Sequence, residues 1–182
     1  MTERTVMLRG KNVSLRPVLE RDIDRMYEIH IDISNRGDFW PLDVDSEVEF
    51  KKEFRESGFW KADNGLLVMV DENDKLIGDI GFFRPADYMT TTFEIFYRVY
   101  EASNWGKGVT SEALGLLVRW LFDSKQCERL QLAIDVENKR SRRVAEKAGF
   151  TNEGTLRSIM FHRGGYRDMV MYSLLRGEAA QL

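Results

Sequence analysis

Trp105-Gly106-Lys107-Gly108-Val109-Thr110-Ser111 is the stretch on which the reading of this chain turns. It lies between a segment that alternates like a strand, Thr91 to Tyr100, and a helical stripe formed by Val109, Ala113, Leu116, Leu117, Trp120 and Leu121. Glycines here let backbone N–H groups converge, and the helix dipole that follows favours an anion such as a pyrophosphate. A tight strand-to-helix turn without a ligand uses the same residues, so the loop alone leaves both readings open. Two familiar phosphate loops do not fit. A P-loop needs Ser or Thr directly after Gly-Lys, where this chain has Gly108, and a Rossmann loop needs a third glycine where Ser111 stands.

Working outward, Val13 to Arg16 alternates as a strand closed by Pro17. Glu20 to Ile31 and Ser46 to Trp60 carry helical spacing, the second with Ser46 as N-cap and Glu49 placed for a capping box. Between these helices the turn-prone segment Asn35 to Pro41 carries two aromatics, Phe39 and Trp40, in a position to lie over a pocket. Leu66 to Val70 and Lys75 to Phe83 read as a hairpin across Asp71 to Asp74. After the glycine loop, Leu130 to Val136 alternates, a helix runs from Asn138 to Ala148 and stops at Gly149, and Thr151 to Phe161 and Tyr166 to Leu175 form a last hairpin across Arg163-Gly164-Gly165. This order predicts a mixed α/β sheet with helices on both faces.

The chain has 182 residues, a net charge of −3 and 43% hydrophobic residues, enough for one domain spanning 1–182 with a sizeable core. Interspersed charge signs leave no basic field for a nucleic acid partner, and no apolar run is long enough to span a bilayer. The charged N-terminal stretch Met1 to Lys11 does not read as a signal peptide, and the single cysteine, Cys127, forms no internal disulfide, so a cytoplasmic protein is expected. Cys127 and the widely separated His30 and His162 make no metal-ligand pattern, and no metal is predicted.

The motifs resemble the GNAT superfamily of acetyl-CoA-dependent N-acetyltransferases. Trp105 to Thr110 is similar to its Gln/Arg-x-x-Gly-x-Gly/Ala loop, and WGKGVTSEA resembles the RimJ/RimL-like branch that acetylates protein N-termini. Asn138-x-x-Ser141 followed by Glu146-Lys147-x-Gly149-Phe150 resembles a second segment of that branch. LRPVLERDID at Leu15 to Asp24 and the ending Tyr166-Arg167-Asp168-x-x-x-Tyr172-Ser173-Leu174-Leu175 resemble its first and last strands. Trp105 and Thr110 depart from the loop pattern, and Met160 stands where relatives can place an acidic residue.

The resemblance implies a mostly antiparallel sheet of about seven strands, splayed in the middle and flanked by about four helices, with the pantetheine arm of acetyl-CoA pairing strand-like in the opening. It implies that Val99, Trp105, Gly106, Lys107, Gly108, Val109, Thr110, Ser111 and Asn138 hold the cosubstrate, with one of Arg142, Arg143 and Lys147 able to meet its 3′-phosphate. It also implies direct attack of an amine on the acetyl thioester. Glu94, eleven residues before Trp105, is the candidate base, and Ser141 the candidate donor to the departing thiolate. An ordinary strand glutamate and a helix-start serine are the plain readings of the same two residues. A protein N-terminal α-amine is the leading acceptor, a small-molecule amine the alternative, and a non-catalytic acyl-CoA-binding module a third reading. Dimeric relatives make a homodimer the family-level expectation.

Overall fold

The structure, a computed structural model, describes residues 6–86 and 89–179. The first five residues of the charged N-terminal stretch, along with Asp87 and Tyr88, lie outside the described residues. Eight strands form a single sheet in the order β1-β2-β3-β4-β5-β6-β8-β7. The strands are β1 (Leu8–Arg9), β2 (Ser14–Pro17), β3 (Asn64–Val70), β4 (Leu76–Phe83), β5 (Thr92–Val99), β6 (Arg129–Asp135), β7 (Thr151–His162) and β8 (Gly165–Leu175). The helices are α1 (Ile23–Ile31), α2 (Glu47–Ser57), α3 (Val109–Ser124), α4 (Lys139–Lys147) and the single turn α5 (Arg176–Ala179).

The eighth strand and the fifth helix exceed the seven and four expected. Strand β1 is two residues long, too short to show alternation, and the turn that follows it is held by Glu112 of α3, whose carboxylate accepts from the Lys11 and Asn12 backbone and from the Asn12 side chain. The helix expected from Glu20 begins as a 3-10 turn, Glu20–Asp22. There the fully buried Arg16 guanidinium grips both carboxylate oxygens of Asp22 and reaches Asp74 in the β3–β4 turn. The second helix, expected to run to Trp60 with a capping box, stops at Ser57 because Gly58 turns left-handed, Trp60 bridges to Gly65 instead, and the Ser46 half of the box is the part that forms. Ser46 accepts from the Glu49 N–H, Gly58 ends α2 in the left-handed region, and Gly149 follows α4 with φ +83. Arg163 and Gly164 both have positive φ, the geometry of the two-residue hairpin turn that matches strand twist.

The two faces of the sheet carry separate cores. Leu67, Met69, Ile80, Phe82, Phe93, Ile95, Leu130 and Leu132 pack against α3 and α4, while Val68 and Val70 pack against Ile23, Met26 and Phe50 of α1 and α2. Helix α3 is buried over a wider arc than its stripe suggests, because Leu114, Val118 and Phe122 are covered as well as Leu117 and Leu121.

All neighbouring strands are antiparallel except β5 and β6, which α3 connects as a parallel crossover. Their pairing covers three positions, Thr92 with Arg129, Phe93 with Leu130 and Glu94 with Gln131. Beyond Glu94 the strands part, although β4 stays paired with β5 through Val99 and β6 stays paired with β8 through Asp135. The splay thus opens between two intact half-sheets.

On the α1/α2 face beside this fork, Gly81 lies opposite Phe96. A Cβ on Gly81 would lie 2.4 Å from Phe96 Cζ and 2.7 Å from the Gly65 carbonyl oxygen, so glycine is what lets the Phe96 ring lie down. Gly81→Ala should therefore cost about 1–3 kcal/mol in urea unfolding, as overpacking does. A variant as stable as the parent would show that this contact is not tight.

Candidate active site

A cavity of about 800 Å³ fills the fork between β5 and β6 and reaches both faces of the sheet. Its wall includes Glu94 and Val99 of β5, Trp105, Gly106, Gly108, Val109, Thr110 and Ser111 of the glycine loop and α3, and Asn138 and Ser141 at the start of α4. The one expected site residue outside this wall is Lys107, which is solvent-exposed. It sits between Gly106 and Gly108, whose positive φ values bend the loop sharply.

On the α3/α4 side the loop joins two left-handed glycines to a helix start, chemistry that suits an anion. Gly106 and Gly108 have φ of +75° and +80°, and a Cβ on either would meet nothing within 4 Å. No side chain caps α3 at Gly108, and the first helical backbone bond recorded there is from the Glu112 N–H to the Gly108 carbonyl. The preceding N–H groups at the helix start are those a helix leaves unpaired. Three basic residues line the same cavity: Arg140, whose guanidinium lies 4.1 Å from the Trp105 ring centroid, together with Arg143 and Lys147. Arg142 differs from the expectation. It turns inward to the Tyr172 hydroxyl at 3.2 Å and the Val136 carbonyl at 3.1 Å, and so ties α4 to the sheet.

Asn138 is the N-cap of α4, its Oδ1 accepting from the Ser141 N–H at 3.1 Å. The carbonyl of Ser141 accepts from the Tyr97 hydroxyl at 3.3 Å. Tyr97 is an addition to the expected set. Its place in the alternation of β5 marks it as core, and only the structure shows its hydroxyl bridging the splay. Burial pushes its pKa up to about 12, so it remains a hydrogen-bond donor at neutral pH.

The α1/α2 side carries Glu94, Phe96 and Arg98 at alternate positions of β5. Glu94 sits at the fork itself, where its Oε2 accepts from Gln131 Nε2 at 2.7 Å. Burial raises the Glu94 pKa, and the Gln131 hydrogen bond pulls it partly back. A carboxylate so placed accepts a proton more readily near neutral pH than an exposed one. Phe39 and Trp40 line the cavity above it, as their segment suggests, with Trp40 packed on Phe96 at 6.4 Å. The buried Arg36 pins this segment by donating to the His30 and Pro41 carbonyls, and Arg163 of the β7–β8 turn donates to Gly37 at 3.0 Å. Neither anchor was legible, because each joins residues whose proximity only the fold creates.

A mixed sheet that splays between its two parallel strands, with a glycine loop and a helix start at the mouth of the splay, is an acyltransferase-like architecture. The sequence profile of the acetyltransferase (GNAT) domain matches residues 12–151. The ribosomal-protein-serine acetyltransferase of Escherichia coli is 31% identical over 140 residues, 74% of each chain. The structure of RimL, a ribosomal L7/L12 α-N-protein acetyltransferase in complex with coenzyme A, superposes with a TM-score of 0.76 at 20% identity, covering 91% of this chain and 95% of that one. A spermidine N-acetyltransferase from Vibrio cholerae in complex with CoA and spermine superposes with a TM-score of 0.81 at 18% identity, covering 94% and 99%. The chain belongs to the GNAT acetyltransferase family. It is an N-acetyltransferase with acetyl-CoA as cosubstrate and an amine as acceptor. No helix among the described residues is long and apolar enough to cross a membrane.

The glycine loop is directly testable. Gly108→Glu places a carboxylate on an open, left-handed position beside the α3 N-terminus and should weaken CoA binding at least about tenfold by calorimetry. An unchanged dissociation constant would remove the loop from the phosphate site.

Proposed function

We propose that this protein, acting as one domain spanning 1–182, transfers the acetyl group of acetyl-CoA to the α-amine of a protein or peptide N-terminus. The observation that carries this reading is Glu94, a carboxylate held half-buried at the fork where the two faces of the sheet meet. In this reading the diphosphate lies against the amides at the start of α3, with Gly106 and Gly108 shaping the turn and Trp105, Thr110 and Ser111 forming the rim. The pantetheine arm runs along the unpaired edge of β5 toward Val99, and Asn138 holds one of its amides. The thioester then reaches the fork from the α3/α4 side, and the acceptor enters from the side of Phe39, Trp40 and Phe96.

The reaction needs a neutral amine. Its lone pair attacks the thioester carbonyl, a C–N bond forms, the C–S bond breaks, and the proton lost by nitrogen ends on the CoA sulfur. Glu94 takes the amine proton directly or through water, and the Ser141 hydroxyl donates to the departing thiolate. An α-amine with a pKa of about 8 is already partly neutral at physiological pH, so one modest base suffices, whereas a lysine-like amine near 10.4 asks for more. The acceptor side supports this choice. Beyond Glu94 its wall carries Phe39, Trp40 and Phe96 with Arg36 and Arg98, the Asp135 carboxylate is taken up by Arg167 at 2.9 Å, and Asp38 is the one other carboxylate among the described lining residues. A polyamine site calls for several free carboxylates.

Glu94→Gln should lower kcat by about 10²–10⁴-fold while leaving acetyl-CoA affinity nearly unchanged. The pH profile gives the sign. Log kcat/KM should fall with slope one below the amine pKa and steepen to two below the pKa of Glu94, which lies above the ordinary carboxylate value. Gln131→Leu removes the bond that favours the carboxylate, so it should move that second break to higher pH. A parent profile without a second break, or a Glu94→Gln variant at full rate, would take Glu94 out of the mechanism.

A further inference from the structure

Arg98 follows Glu94 and Phe96 on the acceptor-facing side of β5 and forms part of the cavity wall. Its guanidinium is mostly buried, yet only Nη2 has a hydrogen-bond partner, Asp79 Oδ2 at 2.8 Å. Nε and Nη1 are buried with none. Asp79 does not compensate them, because the Tyr100 hydroxyl donates at 2.9 Å to the same Oδ2 and leaves Oδ1 unpartnered. The guanidinium is held in place by stacking, its carbon 4.9 Å from the Trp40 ring centroid and 5.2 Å from that of Tyr100. Buried donors without partners are rare in folded proteins, and beside a substrate cavity they mark groups that a ligand or an ordered water completes.

The neighbouring arginine shows the contrast. Arg36 spends its guanidinium on the His30 and Pro41 carbonyls and so fastens its own segment. Arg98 has no such structural task for Nε and Nη1. Its charge acts against protonation of Arg36 and His30, with Asp43 and Asp45 acting the other way, so the guanidinium is one of two arginines, against the single carboxylate Asp38, on this part of the cavity wall beyond Glu94. The stacked ring of Trp40, on the segment over the cavity, would order the guanidinium for one partner geometry.

Spacing narrows the ligand. Residues 94 and 98 of one strand lie about 13 Å apart at Cα, and the reacting amine belongs near the Glu94 end. An extended peptide advances about 3.5 Å per residue, so one or two steps cover roughly 4–7 Å and the lengths of the facing arginine and acceptor side chains span the rest, which brings the arginine to a group on the second or third residue of the acceptor. We infer that Arg98 is a specificity-determining residue that selects acceptor peptides bearing a carboxylate side chain at the second or third position. The inference rests on the N-terminal transferase reading above and adds the substrate class. It predicts that polyamines, which bring positive charge and no carboxylate, are poor acceptors.

The test compares two peptides of equal length, Ser-Asp-Glu-led and Ser-Asn-Gln-led, with spermidine as a third acceptor, in steady-state acetyl transfer by the parent, Arg98→Gln and Arg98→Lys. The parent should favour the acidic peptide at least about tenfold in kcat/KM, mainly through KM, and should use spermidine worst. In Arg98→Gln the ratio should collapse to within about twofold. Arg98→Lys keeps the charge on Asp79 but loses most of the donors, and it should retain part of the preference, so it carries the test if the glutamine variant fails to fold. Calorimetric affinity for CoA within about twofold of the parent certifies each variant. A parent indifferent to peptide charge, or a preference that survives in Arg98→Gln, overturns the assignment and reduces the unpaired nitrogens to water ligands. Peptide binding to the enzyme–CoA complex separates the two readings. Charge-selective binding without acetylation sinks the transferase reading and keeps Arg98, whereas acetylation without selectivity does the reverse.

Discussion

The parallel seam between β5 and β6 sets everything else in this molecule. It closes for three residue pairs and then fails, and the backbone groups of residues 95–99 are left without strand partners on that side. Buried peptide groups do not stay unpaired without cost, so the opening is stable only where water or a strand-like ligand can meet them. The seam can fail without unravelling the sheet because each of its strands has a full antiparallel partner on its outer edge, β4 for β5 and β8 for β6.

This one feature places chemistry from both faces in a single passage. From the α3/α4 side come the glycine loop, the unpaired helix-start amides and the basic residues Arg140, Arg143 and Lys147. From the α1/α2 side come Glu94, the aromatic floor of Phe96 and the pinned segment carrying Phe39 and Trp40. Glu94 and Gln131 are the last pair before the strands part, so the carboxylate is fixed where the two approaches converge. The Tyr97 hydroxyl, bonded to the Ser141 carbonyl, ties β5 to α4 across the opening and limits how far it can widen.

Much of this was legible in the sequence. The alternation of residues 92–99, the paired glycines before an apolar helix, the Asn138 cap and the Gly149 stop are local signals, and local backbone physics enforces them. What stayed hidden depends on residues that only the fold brings together. The turn after strand β1 is held at Asn12 by Glu112, a hundred residues further along the chain. Arg142 reads as one of a basic helix face until Tyr172 is beside it. Tyr97 and Arg98 read as the two faces of an ordinary strand until α4 and Asp79 supply their partners. The extent of the splay is likewise a matter of register between distant strands, which no periodicity records.

Amide hydrogen exchange with and without CoA tests the central claim most directly, since it reads the backbone groups on which the account rests. The account predicts strong CoA-dependent protection in two places, the amides of Val109 to Ser111 and those along β5 beyond Glu94, with little change in the β1–β2 hairpin. Protection confined to other segments, with these two unaltered at saturating CoA, would contradict it.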